Sequence, residues 1–187
     1  MILSNDSDTI LWKRVTDKNY KLISEKKIEE RTGNFFRFSS QNFIAEIACE
    51  KEKCTGKVTF FSEPLEDENG KRPNKNVFKK EYALTQKQVT EIKSLISSSE
   101  IEKIPSDKFI KDWQYGNDGI AYVFETKTEN LWTYKHYWSP GSHFNKELDQ
   151  AKKVEDFAQL FLKIVEYNKL FEDYLSAVPQ GYQKFYL

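Results

Sequence analysis

The residues most often recruited for chemistry are scarce. Two His, two Cys and one Met occur in 187 residues. Structural zinc takes four ligands, and a Cys49-x4-Cys54 pair supplies two. His136 and His143 could complete a set, but nothing in their spacing requires it. The seven glycines do not cluster. There is no phosphate-binding Gly-rich loop, no Gly-x-Ser-x-Gly elbow and no His-Glu-x-x-His. No catalytic residue is therefore assigned from the sequence, a non-enzymatic role is favoured, and no cofactor or metal is expected. A charge excess is also lacking: 29 Lys+Arg balance 29 Asp+Glu. Phosphate-backbone binding draws on surplus Lys and Arg, so a nucleic-acid partner is not expected. No apolar run approaches the roughly 18 residues of a membrane-spanning helix. Met1-Ile2-Leu3-Ser4-Asn5-Asp6 carries neither a basic nor an apolar leader segment. That fits a cytoplasmic protein if Met1 is the native start, and an envelope or periplasmic one if a leader has been removed.

Aromatic residues are plentiful: 14 Phe, 10 Tyr and 4 Trp. They suffice for a core, and the length suits a single domain over residues 1–187. Residues 1–34 are ambiguous. Ile10, Leu11, Trp12 and Val15 fit a short helix or a strand, and Arg31-Thr32-Gly33-Asn34 reads as a turn. Phe43 to Cys49 and Val58 to Ser62 alternate with period two. Paired around a Glu50–Lys53 loop, Phe43 faces Phe60, Ala45 faces Val58, Ile47 faces Gly56 and Cys49 faces Cys54. Slipping by one residue would scatter this apolar face. The register makes a disulfide between Cys49 and Cys54 feasible. Two free thiols are the open alternative, because a disulfide needs an oxidising compartment.

Phe35–Phe38 and Val77–Leu84 read as further strands. Thr85 and Gln88 have capping-box spacing, with Leu84 and Val89 at the staple positions. Val89, Ile92, Leu95 and Ile96 then form a helical stripe. Ile120–Thr126 and Leu131–Trp138 form a second hairpin around 127–130, placing Glu125 opposite Trp132 and Ala121 opposite His136. Both faces of Ile120–Phe124 are apolar, as in an interior strand. A helix is predicted over 145–177, stopped by Pro179, with an aromatic tail that docks. The fold class is α+β: a mostly antiparallel sheet of two hairpin groups, packed on one face by a capped helix and a long C-terminal helix.

Two features stand out as binding candidates. The 63–76 loop is long and splits by charge, Glu66 and Asp67 preceding Lys71 and Arg72. It reads either as a self-neutralising surface loop, the blander account, or as an arm that docks a charged partner. Trp113, Tyr115, Trp132, Tyr134 and Trp138 crowd into 26 residues with Asp118 and His136. A sheet covered on one side would expose part of that row to a protein or ligand. His136 reads as a histidine packed among aromatics with its ring nitrogens satisfied locally. A site of Asp118, Glu125 and His136 is the enzymatic alternative.

Trp113-Gln114-x-Gly116-x-Asp118-Gly119-x-x-Tyr122-x-x-Glu125, followed by Tyr137-Trp138-Ser139-Pro140, resembles a pattern in uncharacterised bacterial proteins. The resemblance spans about a third of the chain, from Ile104 to Phe157. It implies a small exported or envelope-associated protein and carries no activity. This chain departs from it in showing no leader. Size, missing catalytic signatures and aromatic and bipolar surfaces together favour a protein–protein role, in its most specific form an immunity-type inhibitor of a partner such as a toxin. A ligand- or glycan-binding envelope protein with an aromatic cleft is the alternative. The oligomeric state is left open.

Overall fold

The protein is described here from a computed structural model that covers residues 2–8, 12–72 and 76–184. Ile10, Leu11 and the tail from Phe185 to Leu187 lie outside the described residues. Among those residues the fold is α+β, four α-helices on a seven-stranded open sheet. The strands are β1 (Ile2–Leu3), β2 (Asn34–Ser40), β3 (Phe43–Glu50), β4 (Lys53–Ser62), β5 (Phe78–Ala83), β6 (Ala121–Lys127) and β7 (Leu131–Trp138). Their order is β1-β7-β6-β2-β3-β4-β5, and only the β1–β7 pair is parallel.

The β3–β4 register matches the one the apolar alternation dictates, including Cys49 opposite Cys54. The two cysteines form a disulfide. The ladder runs on to Glu50 and Lys53, so the loop is Lys51-Glu52, shorter than the four residues expected. The second hairpin is corrected by two residues. His136 faces Val123, Glu125 faces Tyr134 and Lys127 faces Trp132. Lys127 extends β6, and the Thr128 N–H donates to the Leu131 carbonyl across a three-residue loop (2.8 Å). A slip of two keeps every side chain on its expected face, which is why the alternation alone could not detect it.

Helix α1 (Trp12–Leu22) covers one face of the sheet, and α2 (Gln86–Ser99), α3 (Asp149–Ile164) and α4 (Tyr167–Ala177) cover the other. The second of these faces is the main core. Phe38, Phe43 and Phe60 are fully buried there, and Phe60 lies within ring contact of Tyr167, Phe171 and Tyr174 from α4. Each such ring withdraws enough apolar area to contribute about 2–3 kcal/mol. Thr85 caps α2 with the full capping box. Gly56 lets the start of α2 lie close to β4, since a Cβ there would fall 2.7 Å from Ile47 Cδ1 and 2.9 Å from Leu84 Cδ1.

The single helix expected over 145–177 is two helices, broken at Val165-Glu166, where Glu166 adopts a left-handed conformation (φ 57°). The apolar stripe explains the break. Continuing the α3 pattern past Phe161 and Val165 at helical spacing leads to Asn168, Lys169 and Glu172. The buried α4 residues are instead Tyr167, Phe171 and Tyr174, so the chain must re-phase to bury them. The tail does dock as far as it is described. Pro64 bridges to Tyr182, and the Gln183 N–H donates to the Glu63 carbonyl at 2.9 Å.

Candidate functional site

The sheet face beneath α1 is unlike the core face. Alternation in β2, β3, β4, β6 and β7 directs Arg37, Glu46, Lys57, Glu125, Lys127 and His136 toward it. Arg37 and Glu125 are both fully buried. Arg37 pairs with Glu46 at 2.5 Å, lies 3.6 Å from Glu125 and sits 4.4 Å above the Tyr20 ring. Glu46 also receives Arg31 at 3.0 Å, and Lys57 reaches Glu25 at 2.5 Å. The Tyr20 hydroxyl donates to Glu125. Burial disfavours a charged guanidinium, but Tyr20, Glu125 and Glu46 more than offset it, and the Arg37 pKa is raised. Burial raises the Glu125 pKa, against the opposing pull of Arg37 and Tyr20. The two shifts favour charge on Arg37 and neutrality on Glu125. Glu46 reconciles them: it is the closer counter-ion, so Glu125 is left with the larger burial penalty. This layer fixes α1 and the following segment to the sheet and so sets the position of the cavity beside it.

That cavity lies between α1 and the ends of β2, β6 and β7 and holds about 200 Å³. From α1 it is lined by Trp12, Val15, Thr16, Asn19 and Tyr20, the i, i+3, i+4, i+7, i+8 face of one helix. Opposite are Ile44 and Phe61, with Ala121, Val123 and His136 further along the sheet. None of the fifteen described residues lining it is Lys, Arg, Asp or Glu.

His136 is the notable group in its wall. It is fully buried. Its ring lies against Trp12, with centroids 4.4 Å apart and planes 5° from parallel, and Trp12 also stacks on Trp138 at 5.8 Å. Nδ1 is 2.9 Å from Asp107 Oδ2. Asp107, itself buried, also accepts the Trp138 and Lys108 backbone N–H groups at 2.8 and 2.7 Å. With a carboxylate accepting from Nδ1–H, Nε2 is an acceptor in the neutral ring and a donor in the protonated one. Among the described residues Nε2 has no hydrogen-bond partner. The expectation that both ring nitrogens are satisfied locally thus holds for Nδ1 and fails for Nε2.

The other sequence candidates separate. Trp113, Tyr134 and Tyr137 are buried, Trp113 with its indole N–H on the Trp138 carbonyl at 3.0 Å. Tyr134 bonds Thr16 at 2.8 Å. Trp132 and Trp138 are half-buried, and Tyr115 and Asp118 are exposed. The expected open aromatic row does not form, because α1 covers that face. The proposed Asp118, Glu125 and His136 set is not assembled either. His136 takes Asp107 instead, while Glu125 is committed to Tyr20 and Arg37. The charged loop folds on itself: Arg72 pairs with Glu63 and Glu66, and Asp67 caps the Asn69 and Lys71 N–H groups. No cluster of three or more metal-ligating side chains occurs among the described residues, and His143 lies in a separate loop against Phe144. Sequence reasoning missed Asp107, Trp12, Asn19 and Tyr20. Asp107 sits in a 3-10 turn 29 residues before its partner, and the other three belong to the ambiguous N-terminal segment.

No family model matches the chain, and no curated protein matches it.

Proposed function

We propose that the protein binds a small organic molecule in the cavity between α1 and the sheet. The observation that carries this reading is the cavity itself, about 200 Å³ and walled by Trp12, Tyr20, Ile44, Phe61 and Trp138, with Thr16, Asn19 and Gln41 as uncharged polar groups in the lining. An apolar pocket with a few placed polar groups is the usual form of a small-molecule site. Titrating the ¹⁵N-labelled protein with a library of neutral one- and two-ring compounds tests it. The Trp12 indole and the Asn19 and Ala121 amides should shift together. Shifts confined to other surfaces, or none, would reject the reading.

A second reading, a protein partner neutralised by this chain in the manner of an immunity protein, draws on a different observation. Tyr115 and Phe144 are each 52% exposed. Reciprocal hydrogen bonds between Gln114 and Asn145, both 2.9 Å, hold their segments side by side. Exposed aromatics on a fixed scaffold suit a protein hot spot. Affinity capture from native extract should then recover a specific protein that a Tyr115→Ser, Phe144→Ser variant loses. Recovery unchanged by the variant would reject this surface.

A further inference from the structure

The outer face of α1 carries charge that the fold does not use. Arg14, Lys18 and Lys21 lie at i, i+4 and i+7, one stripe of the helix, and Lys26 follows in the segment after it. All four are exposed and line one groove between α1 and residues 24–30. We infer that this groove docks an acidic segment of a protein partner, one with carboxylates spaced along an extended chain. The inference is independent of the cavity and of the Tyr115–Phe144 surface above.

The pairing pattern comes first. None of the four cations has an ion-pair partner among the described residues, although three carboxylates line the same groove. Asp17 has i, i+4 spacing to Lys21 but pairs instead with Lys13 at 2.5 Å and Lys27 at 2.9 Å. Glu25 pairs with Arg31 at 2.9 Å and Lys57 at 2.5 Å. Glu30 is then the lining carboxylate left over. Four unpaired cations against one unpaired carboxylate leave a local surplus of three positive charges, in a chain whose formal net charge is zero.

That surplus is unfavourable in isolation. Arg14 and Lys18 are like charges at i, i+4, which destabilises a helix. Both side chains are exposed, so core packing does not require them. An acidic partner would turn the repulsion into attraction and speed encounter.

Shape and the interleaved carboxylates select the partner. A nucleic acid presents a continuous line of phosphates, which would meet Asp17, Glu25 and Glu30 as well as the cations. No aromatic side chain among the described residues lines the groove to stack a base. A membrane is flat on this scale and would touch the rims of a concave groove rather than its lining. A peptide can set a carboxylate against each cation and an uncharged residue against each lining carboxylate.

The probe is a short fluorescein-labelled peptide of alternating Glu and Ser, titrated with the full chain at about 20 mM salt, where exposed charges are weakly screened. It should bind, and the Lys18, Lys21, Ser24 and Lys26 backbone amides should shift together. Lys18→Glu, Lys21→Glu should weaken binding about tenfold, since attractions become repulsions. Lys18→Arg, Lys21→Arg should keep it within about twofold, because the charge is retained. Lys152→Glu, Lys153→Glu, equally exposed on α3, makes the same change in net charge. As a distant site it should leave binding within about twofold. No binding, shifts confined to other faces, or equal losses from the two Glu variants would overturn the inference. So would tighter binding of a charge-matched oligonucleotide or of phosphatidylserine vesicles, lost in the Lys18→Glu, Lys21→Glu protein, which would assign the groove to phosphate instead.

Discussion

One carboxylate oxygen holds both a ring and a strand end: Asp107 Oδ2 lies 2.9 Å from His136 Nδ1 and 2.8 Å from the Trp138 backbone nitrogen. The same short segment contributes Ser106, whose hydroxyl accepts the His136 backbone N–H at 2.8 Å and donates to the His136 carbonyl at 3.1 Å. The outer edge of β7 is thus satisfied by side chains where β1 no longer pairs with it, which also protects it from pairing with another chain.

Asp107→Asn should therefore destabilise the protein by about 2–4 kcal/mol, because an amide nitrogen would face buried N–H donors. Urea unfolding would show a lowered midpoint. A change within about 0.5 kcal/mol would mean that Asp107 does not organise this edge.

Glu125 makes a pH-dependent prediction. Its folded pKa is raised by burial, so the native state holds its proton more tightly than the unfolded chain does. Below the ordinary glutamate value of about 4.3 both states are protonated and no penalty applies. As pH rises through that value toward the folded one, wild type loses stability that Glu125→Gln keeps. The stability of the Gln variant relative to wild type should thus increase from about pH 4 upward and then level off. A relative gain by wild type over this range would contradict the assignment.

The Cys49–Cys54 bond closes a very short loop, with a sequence separation of 5. Chain-entropy arguments then give about 2 kcal/mol. The Cys49→Ser, Cys54→Ser protein should remain folded with a modestly lower melting temperature. Loss of folding would mean the bridge does more than restrain the unfolded chain.

Glu166 holds a left-handed backbone conformation between α3 and α4, which favours glycine. Glu166→Gly should stabilise the protein by about 0.5–1 kcal/mol in thermal unfolding. In an uninterrupted helix the same change would destabilise by about 1 kcal/mol, so the sign decides between one helix and two.

The parts of this fold that sequence makes plain are those set by local periodicity and capping. The 43–60 register follows from alternation on one face, and the Thr85 capping box from side-chain spacing. The second hairpin's register did not follow, because a two-residue slip preserves every face and only the loop length distinguishes the choices. The break at Glu166 was present as a phase jump from Phe161 and Val165 to Tyr167 and Phe171, hidden by treating 145–177 as one stripe. The candidate site was hardest to see. His136 was visible as an unusual residue, but its partner Asp107 is distant in sequence. Its cover, α1, has buried Lys13 and Thr16 and an exposed Val15. That helix docks on a charged layer, so its inner face is not the apolar stripe that marks most helices.

The central claim is that the space between α1 and the sheet is a ligand site, and a crystal soaked with 5-bromoindole tests it most directly. The account predicts a bromine anomalous peak in the cavity beside Trp12. A well-ordered soak with the bromine bound only elsewhere, or with the cavity empty at saturating compound, would contradict it.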